Sequence, residues 1–323
     1  MAHDHGHSHD HSHDDGHAHG HGHGHGHSHG IGGHSHAPAN TGDWRYAVGL
    51  LVNLAFVAIE FTAGVLSEST ALMADAGHNL SDVLGLAMAG GAAWLARRAA
   101  GSQKTYGYGK ATVLAALFNA LLLIFACGAI AFEAVRRLND PAPVGSVTIM
   151  VVAGIGFVIN LGTALMFMKD QHKDLNVRGA YLHMMADAGV SLGVVVAGAA
   201  IMFSGWSIID PLVSLAIVVF IMLGTWGLLK DSVNLALDAA PRGVDVAAIR
   251  AGFLALPGVT AVHDLHVWGL STTDTALTAH LVHDREDAST LLAEAQTLAR
   301  ARFSISHTTL QLEDAELPDC PTC

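Results

Sequence analysis

Cysteine is nearly absent from this sequence. Three occur in 323 residues, Cys127, Cys320 and Cys323, too few and too scattered for a disulfide framework, so they point to neither an oxidising nor a reducing compartment. Charge is scarce as well: Asp, Glu, Lys and Arg make up 14% of the chain, against 51% hydrophobic residues, far from the balance of a soluble protein. Of those charges 16 are basic and 28 acidic, a net charge of -12, which excludes a polybasic nucleic-acid surface and makes cations the expected clients. No Lys or Arg precedes Arg45. The basic start of a secretory signal is therefore missing, and the first apolar stretch is expected to stay in the mature protein. Also missing are an HExxH motif, a nucleophile-base pair in the apolar stretches and a phosphate-binding loop, which argues against a membrane-bound metal enzyme and against ATP use.

What the sequence does have is long apolar runs. A helix needs about 20 mostly apolar residues to cross a bilayer, and six segments qualify: Trp44 to Leu66, Ala71 to Ala96, Ala111 to Val135, Val144 to Met168, Gly179 to Phe203 and Ile208 to Leu229. Lys and Arg in short loops set the orientation. Arg45, Arg97, Arg98, Lys104, Lys110, Lys169, Lys173, Arg178 and Lys230 fall on one side, Arg136 and Arg137 on the other. The expectation is a multi-pass protein of the cell (inner) membrane, bathed in lipid, with both termini cytoplasmic.

Two regions flank the helices. Residues 1 to 36 hold 15 of the 23 histidines, interleaved with Gly, Ser and Asp and lacking apolar periodicity. Such a segment cannot bury a core. Imidazole is the commonest protein ligand for zinc-like ions, so residues 1–43 read as a disordered, metal-collecting arm. After Lys230 the pattern changes: "VDVAAIRAGFLALPG" and "DASTLLAEAQTLARARF" read as helices, "VTAVHDLHVWGLS", "DTALTAHLVHD" and "SHTTLQLED" as strands. The fold class expected is an α-helical membrane protein: a six-helix transmembrane bundle over 44–232, then a small cytoplasmic α+β domain of αββαβ order over 233–317, then a tail over 318–323. A domain this small sits near the lower limit for folding alone and is expected to lean on a second copy.

Within the apolar runs, "DAGHNLSDVLG" carries His78 and Asp82, and "YLHMMADAGVS" carries His183 and Asp187. Residues four apart share one face of a helix, and ionisable groups at membrane depth normally face a bundle interior or a water path. If the two antiparallel helices lie side by side, His78 meets Asp187 and His183 meets Asp82. Two nitrogens and two carboxylates then converge, a donor set suited to a tetrahedral ion such as Zn2+ as transported substrate and poor in oxygens for Mg2+ or Ca2+. Asp75, three residues before His78, falls on the same face nearer the outside, as an exit-side ligand, a proton acceptor or an ordinary solvated helix end. Asn53, Glu60, Asn119, Glu133 and Asn160 read as interhelical hydrogen-bond partners. Because neutral His and ionised Asp hold the ion, protons compete with it. Secondary antiport with protons as counter-substrate is the expected function, the alternative being a metal sensor or buffer that moves nothing.

"ALMADAGHNLSD", "YGYGKATVLAALFNA", "LNVRGAYLHMMAD" and "VHDLHVWGL", in this order, resemble the cation diffusion facilitator family, in particular its zinc-type members, over nearly all of residues 44 to 317. The resemblance implies a homodimer, a transport site at His78, Asp82, His183 and Asp187, and zinc preferred over manganese or iron. It also implies a metal site in the cytoplasmic domain at His263, His280 and Glu313, with Zn2+ as regulator. Gln311 stands where relatives often carry a further His. "ARRAAGSQKTYGYGK" contains no His, Asp, Glu or Cys, so the loop site of some relatives is not expected. Strand alternation puts His263 and His266 on opposite faces, and likewise His280 and His283, leaving His266, His283 and His307 as structural or solvent-facing. "CPTC" has the spacing of half a zinc site and reads as a loose tail.

Overall fold

A computed structural model of the chain describes residues 44–98, 100–140, 143–168 and 175–314. The histidine-rich arm, Lys169, Lys173, Cys320 and Cys323 lie outside the described residues. Six long helices come first: α1 Trp44–Leu66, α2 Thr70–Ala96, α3 Lys110–Asn139, α4 Ser146–Phe167, α5 Leu175–Ser204 and α6 Ile209–Ala236. Among the described residues, four stretches within α3, α4, α5 and α6 are long and apolar enough to cross a membrane, and Leu51–Leu66 of α1 is a shorter apolar run. The 27-residue α2 has the length but is interrupted by Asp75, His78, Asn79 and Asp82.

α2 sits at the centre, packed against α1, α3, α6 and α5, while α3 pairs with α6 and α4 with α5. In the bundle core the small residues Ala71, Ala74, Cys127 and Ala153 are set among Leu72, Ile149, Val194 and Ile217. Small side chains let helices approach closely where lipid offers no hydrophobic drive for association. The large apolar residues point outward instead: Phe125, Phe132, Val158, Phe203 and Leu223 are all exposed, as a lipid-facing surface requires.

The start of α2 is fixed from two directions. Ser69 caps it, its hydroxyl accepting from the Leu72 N–H at 3.1 Å. Asp210 of α6, buried, accepts from the Ser69 hydroxyl, from the Thr70 hydroxyl at 2.8 Å and from the Thr70 N–H at 2.6 Å. A carboxylate here satisfies orphan amide donors and opposes the positive end of the helix dipole.

The second part is α7 Val246–Leu254, β1 Val259–Gly269, β2 Thr275–His283, α8 Ala288–Phe303 and β3 His307–Glu313, the expected αββαβ order. Its sheet runs β1-β2-β3, with β1/β2 antiparallel and β2/β3 parallel. Ile249 and Phe253 of α7, Ala295 and Ala299 of α8 and Leu277, Ala279 and Leu281 of β2 form one core. By strand alternation, His280 of β2 projects from the opposite face.

The loop before α3 meets this small domain. Gly109 passes so close to the Leu270 carbonyl that an added Cβ would lie 2.6 Å from its oxygen. Thr272 N–H donates to Thr112 Oγ1 at 3.1 Å, Lys110 Nζ donates to Leu235 O at 2.8 Å and to Asp238 at 2.5 Å, and the Tyr106 ring stands 5.3 Å from that of His307. The "YGYGK" segment is thus a junction between the helices and the sheet.

Candidate metal centre

The two helical His/Asp pairs come together where α2 passes α5. His78 Nε2 lies 3.1 Å from Asp187 Oδ1 and 3.7 Å from Asp82 Oδ2, and His183 Nε2 lies 3.4 Å from Asp82 Oδ2 and 3.5 Å from Asp187 Oδ2. The imidazoles meet edge to face, 6.1 Å between ring centres. Each imidazole therefore faces one carboxylate on its own helix and one across the gap, as the i, i+4 spacing predicts for antiparallel neighbours. His183 and Asp187 are buried, His78 and Asp82 partly so. Ligand atoms of His78, Asp82 and Asp187 fall within 4.8 Å of one another. Two nitrogens and two carboxylates in so small a volume form a donor set for a tetrahedral divalent ion.

Asp75 is not a solvated helix end. It is fully buried, and Ser191 Oγ of α5 donates to its Oδ2 at 2.9 Å. The solvated reading fails because Ser191 of α5 and Glu60 of α1 stand against it. Glu60 is fully buried too and accepts from Asn79 Nδ2 at 3.0 Å, an interhelical partner as expected. Glu133 instead pairs within its own helix, with Arg137 at 2.9 Å and Arg136 at 3.5 Å. Three amides depart further from expectation: Asn119 Oδ1 and Asn160 Nδ2 are buried without a hydrogen-bond partner, and Asn53 is exposed.

In the small domain, His263 Nε2 lies 2.9 Å from Glu313 Oε2 and His280 Nδ1 lies 2.8 Å from Glu313 Oε1, with ligand atoms of all three within 4.8 Å. Register explains the convergence. His263 pairs with His280, His280 with Gln311 and Val282 with Glu313, so side chains from three strands meet on one face. Gln311 Nε2 donates to Glu313 Oε1 at 2.8 Å and acts there as a support.

Strand alternation misplaced His266. A β-bulge interrupts β1 between His263 and His266, so that His263 pairs with His280 and His266 with Thr278, leaving Asp264 and Leu265 on one strand opposite Ala279 on the other. The extra residue turns His266 to the same face as His263. Asp264 adopts φ +48 at the bulge and stands between the rings, 2.7 Å from His266 Nε2 and 3.4 Å from His280 Nε2. Asp264 was missed by sequence reasoning, and its signal was only its place next to His263. His283 is buried on the other face, and His307 is exposed beside Tyr106.

A helical bundle with a polar four-residue cluster between two apolar helices, joined to a small α/β domain with a second His/Glu cluster, defines a class of membrane transporters for metal ions. Residues 46–235 match the family model described as the cation efflux transmembrane domain, and residues 241–315 match that of the cation efflux protein cytoplasmic domain. The chain belongs to this cation efflux, or cation diffusion facilitator, family. It is 37% identical over 283 residues to the cation efflux system protein CzcD of Alcaligenes sp., covering 87% of this chain and 90% of that protein. The zinc transporter ZitB of Shigella flexneri is 35% identical over 88% of this chain and 93% of its own length. A cadmium, cobalt and zinc/H(+)-K(+) antiporter of Bacillus subtilis is 32% identical over 87% of this chain and 92% of its own. Among solved structures, a metal-bound C-terminal domain of the CzcD transporter covers 22% of this chain at 38% identity, with a TM-score of 0.21. The protein is accordingly a multi-pass cation efflux transporter and not an enzyme, and its small domain is of the family's dimerising type, making it a homodimer.

Proposed function

We propose that this protein exports Zn2+ from the cytoplasm in exchange for protons, with Cd2+, Co2+ and Ni2+ as further substrates. The observation that carries this reading is the convergence of His78, Asp82, His183 and Asp187 from two antiparallel helices. Two imidazoles and two carboxylates favour zinc over harder ions. The curated relatives named for zinc, and the one named as a proton-coupled antiporter, support the choice of substrate and of counter-ion.

In this reading α1 to α6 all span the cell (inner) membrane and both termini are cytoplasmic. Zn2+ enters from the cytoplasm and displaces protons from the quartet, because the imidazoles must be neutral and the carboxylates ionised to bind it. Rocking of the helix pairs then opens the site outward, and protons entering at His78 and His183 help expel the metal. Residues 1–43 collect metal, residues 44–232 carry it and residues 233–317 dimerise. His263, His280 and Glu313 bind regulatory zinc, a donor set of two nitrogens and one buried carboxylate that fits the metal. Asp75 acts on the exit side.

The deciding experiment is zinc flux into sealed vesicles holding the purified protein. Wild type fills the vesicles with zinc and moves protons the opposite way, while His183→Ala and Asp82→Ala do neither yet remain dimeric. Binding without flux in the wild type identifies a sensor or buffer, and near-normal flux in either variant removes the quartet from the transport path.

A further inference from the structure

Glu60 of α1 and Asp75 of α2 are two carboxyls that both expose 0% of their surface. One oxygen of each has a donor: Asn79 Nδ2 for Glu60 Oε2 at 3.0 Å and Ser191 Oγ for Asp75 Oδ2 at 2.9 Å. The other two oxygens, Glu60 Oε1 and Asp75 Oδ1, are buried with no donor, and the two side chains are hydrogen-bond neighbours of each other. Ionised carboxylates only accept, so this arrangement is complete only with a hydrogen on one of the facing oxygens. Two buried carboxylates in one place cannot both stay charged without a cation.

Among the described residues, no fixed cation is paired with either carboxyl. Glu60 is the only ionisable residue in α1 between residues 51 and 66, and α4 between residues 146 and 167 has none. α2 adds His78 and Asp82, and α5 adds His183 and Asp187, all members of the quartet. Glu133 of α3 is paired with Arg136 and Arg137, and Asp210 of α6 is occupied by Ser69 and Thr70. The positive charge that enters this neighbourhood is the transported metal.

We infer that Glu60 and Asp75 together form a proton-binding site that holds one proton while the quartet is empty and gives it up while the quartet holds metal. This rests on the proton-antiport reading and places part of the counter-substrate outside the metal ligands. Asp75 precedes His78 by three residues, about 4.5 Å along the helix, close enough for a divalent charge at the quartet to favour an ionised pair. On loading from the cytoplasm, the O–H bond of the pair breaks and the proton leaves to water of the inward-open path. When the metal departs outward, a proton from the outer water re-forms the bond.

Glu60→Gln tests the site, because a glutamine amide accepts from Asn79 and donates to Asp75, copying the protonated pair with nothing to release. Protons released on zinc binding are measured with an indicator dye on the purified, unbuffered full-length protein, so that release from the histidine-rich arm cancels between variants. Glu60→Gln is expected to release about one proton fewer per protomer than wild type, and Asp75→Asn should show the same shortfall, so that collapse of one variant leaves the other decisive. In vesicles, protons moved per zinc should fall in both. If wild type couples protons to zinc and both variants match it, the pair is structural and the inference is overturned. If wild type moves zinc without protons, the antiport reading itself fails.

Discussion

At the scale of single residues, His78 is the pivot of the proposed transport cluster, its Nε2 reaching both Asp187 and Asp82. Replacing an imidazole by the smaller, two-oxygen carboxylate of Asp opens the cluster to a larger ion with a higher coordination number, and geometry governs metal preference as much as ligand type. His78→Asp is expected to raise Cd2+ flux relative to Zn2+, measured as the ratio of the two uptakes into vesicles, and an unchanged ratio would remove His78 from the ligands. Spacing made the quartet legible, since i, i+4 in a helix dictates a shared face whatever surrounds it. Asp264 was not legible. Its position depends on a bulge in β1 and a left-handed backbone, and neither leaves a mark in an apolar-polar alternation. Yet it stands against Nε2 of His280, whose Nδ1 faces Glu313, the geometry by which a carboxylate fixes the tautomer of a metal-binding imidazole. Asp264→Asn should weaken zinc binding at the small domain about 10–100-fold, read from the zinc concentration at which spin labels on the two cytoplasmic domains respond.

At the scale of elements, the proposed transport site is only as well placed as α2, and α2 is anchored by Asp210. Its carboxylate gathers two hydroxyls and the Thr70 amide at the first turn. Asp210→Ala leaves these buried donors without an acceptor, which costs about 3 kcal/mol, and frees the start of the helix that carries His78 and Asp82. The expected result is a lower thermal unfolding midpoint in detergent together with weaker zinc flux, whereas Asp210→Asn, which keeps an acceptor, should recover much of the stability. An Asp210→Ala protein as stable as wild type would disprove the anchoring role. The helices themselves were readable because lipid-length apolar runs end at Gly, Pro and charged loops. The anchor was not, because Ser69 and Asp210 lie 141 residues apart and no local pattern links them. For the same reason the burial of Asp75 escaped the sequence, which shows a carboxylate near a helix end but not the helix that covers it.

At the scale of the whole molecule, the order of parts was legible: apolar segments, a drop in hydropathy, then alternating helix and strand patterns. What the order did not show is the junction, where Gly109, Lys110 and Thr112 of the α3 entry meet Leu270, Asp238 and Thr272, so that a shift of the small domain acts directly on the end of a helix packed on α2. This would give the cytoplasmic His263, His280 and Glu313 cluster a route to the proposed transport site. The cluster lies on the sheet face away from the α7 and α8 core, and Asp264 and Glu313 put negative charge on that face in both copies of the dimer. Zinc bound there would offset like-charge repulsion, and it would shift the equilibrium between separated and closed domains only through tighter binding to one of them. The closed dimer is the state expected to gain. Distances between spin labels on the two cytoplasmic domains should therefore shorten when zinc is added, and the double substitution His263→Ala with Glu313→Ala should blunt the shortening while zinc flux through the quartet continues. A distance distribution in the unmutated protein that is the same with and without zinc would reduce this domain to a constitutive dimerisation module.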